Sequence, residues 1–215
     1  NSINPCVSSD GGLLFVYGDL STGNEGRILA LDAYDDKNDQ PFWAIKVRSY
    51  VDFWSRSSPV YADGFVYWAG SDGVMTYVYK INAINGSGEG ADGGWTAEID
   101  ATYVNCSPLV ADGKVFFSTY SDFNAFNAKH YALNDSDGTI AWTNTTAGGQ
   151  GAGVMAYDAE SGLLYQSTYV GGKQNISAIK AGTGEVTMTS GFPVANQFFQ
   201  TGMALKDGYL YVQDY

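Results

Sequence analysis

The chain has 215 residues, enough for one sizeable core, with Gly (27), Tyr (16) and Phe (11) abundant and Pro scarce at 5. Charge is sparse but one-sided: 11 basic against 23 acidic residues give a net of −12, which repels phosphate backbones and argues against a nucleic-acid partner. No stretch shows sustained 3.6-residue periodicity and no apolar run approaches the roughly 18 residues of a membrane span, which leaves an all-β chain of twisted sheets and tight turns.

Taken in chain order, five approximate copies of one unit appear. Each has a short apolar strand, a turn, and a second strand opened by a glycine: Gly12, Gly64, Gly113, Gly162 and Gly208, in steps of 52, 49, 49 and 46 residues. Two places after each glycine stands Leu14, Val66, Val115, Leu164 or Leu210, and one further Phe15, Tyr67, Phe116, Tyr165 or Tyr211. Asp-Gly at 63–64, 112–113 and 207–208 is a hairpin turn signal, because Gly tolerates the positive φ such turns need. Asp10-Gly11-Gly12 and Glu160-Ser161-Gly162 are looser versions. Third strands are expected at 28–31, 77–81, 131–133 and 176–179, each followed by a turn and an outer strand. That outer strand carries Trp43, Trp95, Trp142 and, by alignment, Met188. A large side chain recurring there is expected to pack between neighbouring sheets, with Met188 filling similar volume less rigidly.

Residues 107–116 (SPLVADGKVF) with 131–142 (YALNDSDGTIAW) resemble the PQQ-like repeat of quinoprotein-type β-propellers, and 57–73 (SSPVYADGFVYWAGSDG) matches the first half of that repeat. The resemblance implies an all-β β-propeller of four-stranded antiparallel blades in a single domain, 1–215. Four blades would be complete, at about 4–47, 57–100, 106–146 and 152–190, with a partial fifth at 201–215. Family members usually close with seven or eight blades. The expectation is therefore a longer ring, completed by the remainder of the same chain or by a second chain; the alternative is a small ring closed by the C-terminal strands. The family includes dehydrogenases, assembly scaffolds and sensor domains, so the resemblance is specific for fold rather than activity.

Candidate sites lie where the chain departs from the repeat, at 33–42, 83–94, 119–129 and 189–201. Asp35, Asp36 and Asp39 with Asn38 form the densest oxygen-ligand cluster, but Lys37 interrupts it and no Gly provides a calcium-loop turn. A solvated loop is the first reading there and a weak calcium site the alternative. Tyr50, Phe53 and Trp54, and Tyr120, Phe123 and Phe126, offer aromatic faces for a sugar or a protein partner, the alternative being that they cap blade ends. His130 is the single histidine and is read as structural or surface. Cys6 and Cys106 open units one and three in similar places. They are left to pair with each other, to pair with segments outside the sequence, or to stay free.

Asn-x-Ser/Thr triplets begin at Asn85, Asn105, Asn134, Asn144 and Asn175, glycan acceptors only on the secretory path. They point to a secreted, glycosylated protein, with the periplasm as the alternative. The large alcohol-oxidising quinoproteins have two adjacent cysteines over the cofactor and an Asp beside calcium, and no adjacent cysteines occur here. PQQ is therefore not expected, nor any other cofactor apart from calcium at the acidic cluster. The leading expectation is a non-enzymatic secreted scaffold that binds protein. A PQQ-dependent dehydrogenase fragment and a carbohydrate-binding propeller are the rivals.

Overall fold

The structure is a computed structural model, and it describes residues 5–19, 25–34, 40–48, 57–88, 90, 92–104, 106–120, 128–145, 155–170, 173–191 and 203–212. Every regular element in them is a β-strand. Among the described residues no helix is long and apolar enough to cross a membrane. The chain divides into two compact units, Asn1–Tyr103 with Ser136–Gly138, and Val104–Asp135 with Thr139–Tyr215.

The first unit holds two antiparallel four-stranded meanders. One runs β1 (Cys6–Val7), β2 (Leu13–Asp19), β3 (Glu25–Asp32), β4 (Trp43–Arg48); the other runs β5 (Val60–Ala62), β6 (Phe65–Ser71), β7 (Thr76–Asn82), β8 (Trp95–Ile99). After the two-residue β9 (Tyr103–Val104), the second unit continues with β10 (Leu109–Ala111), β11 (Lys114–Tyr120), β12 (Lys129–Asn134) and β13 (Ile140–Asn144). Next come β14 (Ala156–Asp158), β15 (Leu163–Val170), β16 (Lys173–Lys180) and β17 (Val186–Gly191), and then a two-stranded sheet, β18 (Met203–Lys206) and β19 (Tyr209–Val212).

Sequence chemistry explains why the strands recur in this form. Asp63, Asp112 and Asp207 hold φ of 49, 51 and 52°, and the following Gly64, Gly113 and Gly208 hold 83, 66 and 77°. Two consecutive left-handed residues make the turn whose twist matches that of the paired strands, and Asp and Gly tolerate that conformation best. Where Asp-Gly is missing, a side chain takes over: Asp158 Oδ1 accepts from the Glu160 amide at 3.1 Å and Oδ2 from the Ser161 hydroxyl at 2.6 Å. The glycine carbonyl of the first four hairpins is then capped by the turn after the third strand. Ala33, Ala83, Asp135 and Ala181 donate their amides to Gly12, Gly64, Gly113 and Gly162 at 3.1, 3.0, 2.9 and 2.9 Å.

Apolar residues at alternate strand positions bury both faces of the sheets. In the first unit Phe15, Ile28, Ala30 and Val47 pack with Val66, Trp68, Tyr79 and Ile81. A polar clamp borders this cluster: Arg48 Nη1 donates to the Tyr77 hydroxyl at 2.9 Å, and that hydroxyl donates to Asp72 Oδ2 at 3.0 Å. In the second unit Phe116 and Ala132 pack with Leu164 and Ile179, while Ala156 and Ile176 pack with Met203. Phe116 has no exposed surface and Ile84 is 82% exposed. Phe116→Ala should therefore cost about 3–5 kcal/mol and Ile84→Ala less than about 0.5 kcal/mol, as measured by denaturant unfolding.

Candidate functional site

The recurring outer-strand residues occupy one register. Trp43 pairs with Ala30, Trp95 with Lys80, Trp142 with Ala132 and Met188 with Ala178. The three indoles lie over glycines, with an added Cβ 2.8 Å from Trp43 at Gly86, 2.7 Å from Trp95 at Gly138 and 2.6 Å from Trp142 at Gly184. Those glycines have φ of 72, 73 and 74°, so the turn both needs a left-handed residue and leaves no room for a side chain. Trp43 Nε1 donates to the Ala83 carbonyl at 3.0 Å and Trp142 Nε1 to the Ala181 carbonyl at 2.8 Å, which fixes each ring on its turn. Trp95 is 7% exposed, whereas Met188 is 53% exposed.

A second feature is polar and buried. Ser118 on β11 stands opposite His130 on β12, and His130 opposite Asn144 on β13. Ser118 Oγ and His130 Nδ1 are 2.7 Å apart, and both residues are 0% exposed. The Ser118 backbone is tied in turn to Cys106, whose Sγ accepts its amide at 3.0 Å. On β15 and β16, Thr168 Oγ1 bonds Ser177 Oγ at 2.8 Å, and Ser177 Oγ bonds Thr189 Oγ1 at 3.2 Å. Gln166 is also fully buried. A serine–histidine pair sealed from solvent cannot meet a substrate, so this layer is structural polar packing rather than hydrolytic machinery.

The remaining candidates distribute as follows. Cys6 and Cys106 are free thiols, and burial pushes both up to about 11. They do not occupy equivalent places: Cys6 pairs with Phe15 as Leu109 pairs with Phe116, so Cys106 lies three residues ahead of the matching position. Neither is part of an adjacent pair. No group of three or more His, Cys, Asp or Glu among the described residues comes together to hold a metal.

Asn85 is exposed, its Nδ2 donating to Asp92 Oδ2 at 2.9 Å, and Asn134 is half-buried with Nδ2 on Thr139 Oγ1 at 2.9 Å. Asn144 and Asn175 are 8% and 5% exposed, and Asn144 Nδ2 donates to the Gly184 carbonyl, so the folded sheets leave neither amide free for a glycan. Asp35, Asp36, Asp39, Tyr50, Phe53, Trp54, Asn105, Phe123 and Phe126 lie outside the described residues, as does the side chain of Tyr120. His130 is structural and wholly internal. Its bond to Ser118 and the burial of Gln166 were missed by reading the sequence, although Ser118 and Gln166 sit at repeat positions where the first two units carry Tyr17 and Trp68.

Successive four-stranded meanders with short inner and longer middle strands, and outer indoles docked on turns, define a β-propeller. Solved structures share that fold. The chain is similar to hydrazine synthase from Kuenenia stuttgartiensis (15% identity, TM-score 0.67, covering 97% of this chain and 60% of that one). It is similar to BamB from Moraxella catarrhalis (15% identity, TM-score 0.62, 96% and 54%) and to a quinohemoprotein alcohol dehydrogenase from Comamonas testosteroni (14% identity, TM-score 0.58, 94% and 38%). No family model and no curated protein matches the sequence. The chain spans from 38% to 60% of the length of these three structures, and at 14–15% identity the likeness carries fold alone.

Two measurements check this geometry. Gly184→Ala must strain both φ and the Trp142 contact, whereas Gly162→Ala meets open space and carries only the φ cost. Gly162→Ala should cost about 1 kcal/mol and Gly184→Ala at least about twice that, with a shift in tryptophan emission for the second alone. Burial lowers His130 from 6.5 to about 4. Between those values the unfolded chain binds more protons than the folded one, so stability falls as pH drops through the window, by roughly 3 kcal/mol in full. Denaturant midpoints at pH 7, 5.5 and 4 should show this loss, and His130→Ile should remove that component of the slope.

Proposed function

We propose that the chain is a non-enzymatic, secreted interaction scaffold whose partner binds by adding strands to β19. The observation that carries this reading is an uncompleted sheet. Each of β2, β6, β11 and β15 is paired on both sides, while β19 pairs with β18 alone among the described residues. Tyr209 and Tyr211 are 70% and 57% exposed beside that edge, and the docking side chain of the preceding blade, Met188, is 53% exposed. An unpaired edge offers a row of amides and carbonyls to an extended segment, and exposed aromatics add apolar contact. The occupant is a third and fourth blade strand, supplied by a partner protein or by more of the same ring. The length of the solved propellers relative to this chain supports the same completion. Exposed Asn85 is the acceptor that secretion would glycosylate first. A dehydrogenase role has only fold likeness in its favour, and fold does not carry chemistry.

Hydrogen exchange tests the edge directly. The amides of Leu210 and Val212, which face away from β18, should exchange fast in the chain alone and slow on adding a synthetic peptide of residues 173–191, the outer strand pair of the preceding blade. Leu210→Pro, which removes a donor that faces away from β18, should abolish the slowing. Full protection of β19 without any added peptide would overturn the reading.

A further inference from the structure

Position for position, the seams between successive sheets differ inside the two units. In the first, Tyr17 stands five residues after Gly12 and Trp68 four after Gly64, and their rings stack with centroids 4.7 Å apart. Counted in the same way from Gly113 and Gly162, the second unit has Ser118 and Gln166. A phenol and an indole have given way to a hydroxymethyl and an amide. His130, paired with Ser118, stands where the first sheet has Ile28, paired with Tyr17. Tyr79, opposite Trp68, and Tyr77, opposite Gly70, likewise stand where the second unit has Ser177 and Asn175, so the seam has lost four aromatic rings and gained only a modest imidazole.

Strand alternation places these groups together. Ser118 and His130 lie on the face of Phe116 and Ala132, Gln166 lies on the face of Leu164, and Phe116, Ala132 and Leu164 belong to one packed cluster. Three atoms in this seam are buried with no hydrogen-bond partner: His130 Nε2 and both amide atoms of Gln166. Buried polar groups are nearly always satisfied, by protein or by ordered water. An internal water takes about three hydrogen bonds from otherwise unsatisfied buried groups. The side chains that border the seam, Ser118, Asn144, Thr168 and Ser177, are neutral.

We propose that the seam between β11–β12 and β15–β16 is an internal water site, in which His130 Nε2 and the Gln166 amide are bridged by bound water. The water takes the place that the Tyr17–Trp68 stack fills in the first unit. The guest is neutral, small and able both to donate and to accept. The layer is thereby closed by hydrogen bonds instead of by apolar area.

Water-to-protein cross-relaxation on the whole labelled chain tests this. Cross-peaks from water of long residence to His130 Hε1 and to the Gln166 side-chain amide are expected, and they should vanish in Gln166→Met. Unfolding equilibria supply a second readout. If water bridges the pair, Gln166→Met strips a partner from His130 Nε2 and raises the unfolding constant about tenfold. Absence of the cross-peaks in the unaltered chain overturns the proposal. So does a Gln166→Met chain as stable as the original or more so, because removing orphaned atoms from a dry seam relieves a penalty.

Discussion

An indole lying flat on a left-handed glycine is the contact on which the arrangement of sheets depends. A four-stranded meander has two faces and cannot bury both by itself. Trp43, Trp95 and Trp142 solve this by reaching from the outer strand onto the turn at Gly86, Gly138 and Gly184, with Trp43 and Trp142 also donating to a turn carbonyl. Apolar area, ring orientation and a directional hydrogen bond thus act at one spot. The inner strands add further contact: β1 meets β5, and β14 meets both β10 and β18.

The framework was legible because its determinants are local and repeated. A glycine, a Val or Leu two places on, and an aromatic one further set the second strand of every unit. Asp-Gly set the turn, and the structure finds the expected left-handed pairs at 63–64, 112–113 and 207–208. The outer-strand alignment of Met188 with the three tryptophans holds in register, since each pairs with the matching place of the third strand.

What escaped the sequence depends on partners distant along the chain. The match between Cys6 and Cys106 looked plausible from their place at the start of units, but strand register sets them three positions apart. Asn144 and Asn175 satisfy a triplet rule that is blind to burial, and both point into packed sheets. His130 gave no sign of being enclosed, because its only visible neighbour was Lys129, and the Ser118 hydroxyl that meets it comes from the adjacent strand. Loops carry still less periodic signal, and the acidic and aromatic candidates at 35–39, 50–54 and 123–126 rest on composition alone.

The β18–β19 hairpin has a consequence for the cooperativity of the chain. Its four residue pairs are held to the rest by Met203, Leu205, Leu210 and Val212 against Ala156, Ile176 and Tyr165. Among the described residues no third strand joins these two, and a two-stranded sheet is marginal in water, so the hairpin is expected to open ahead of the meanders. Whatever lays a strand along it captures a segment that is already close to opening. Part of the binding energy is then spent on ordering it, and affinity at this edge rises and falls with how firmly that small cluster holds.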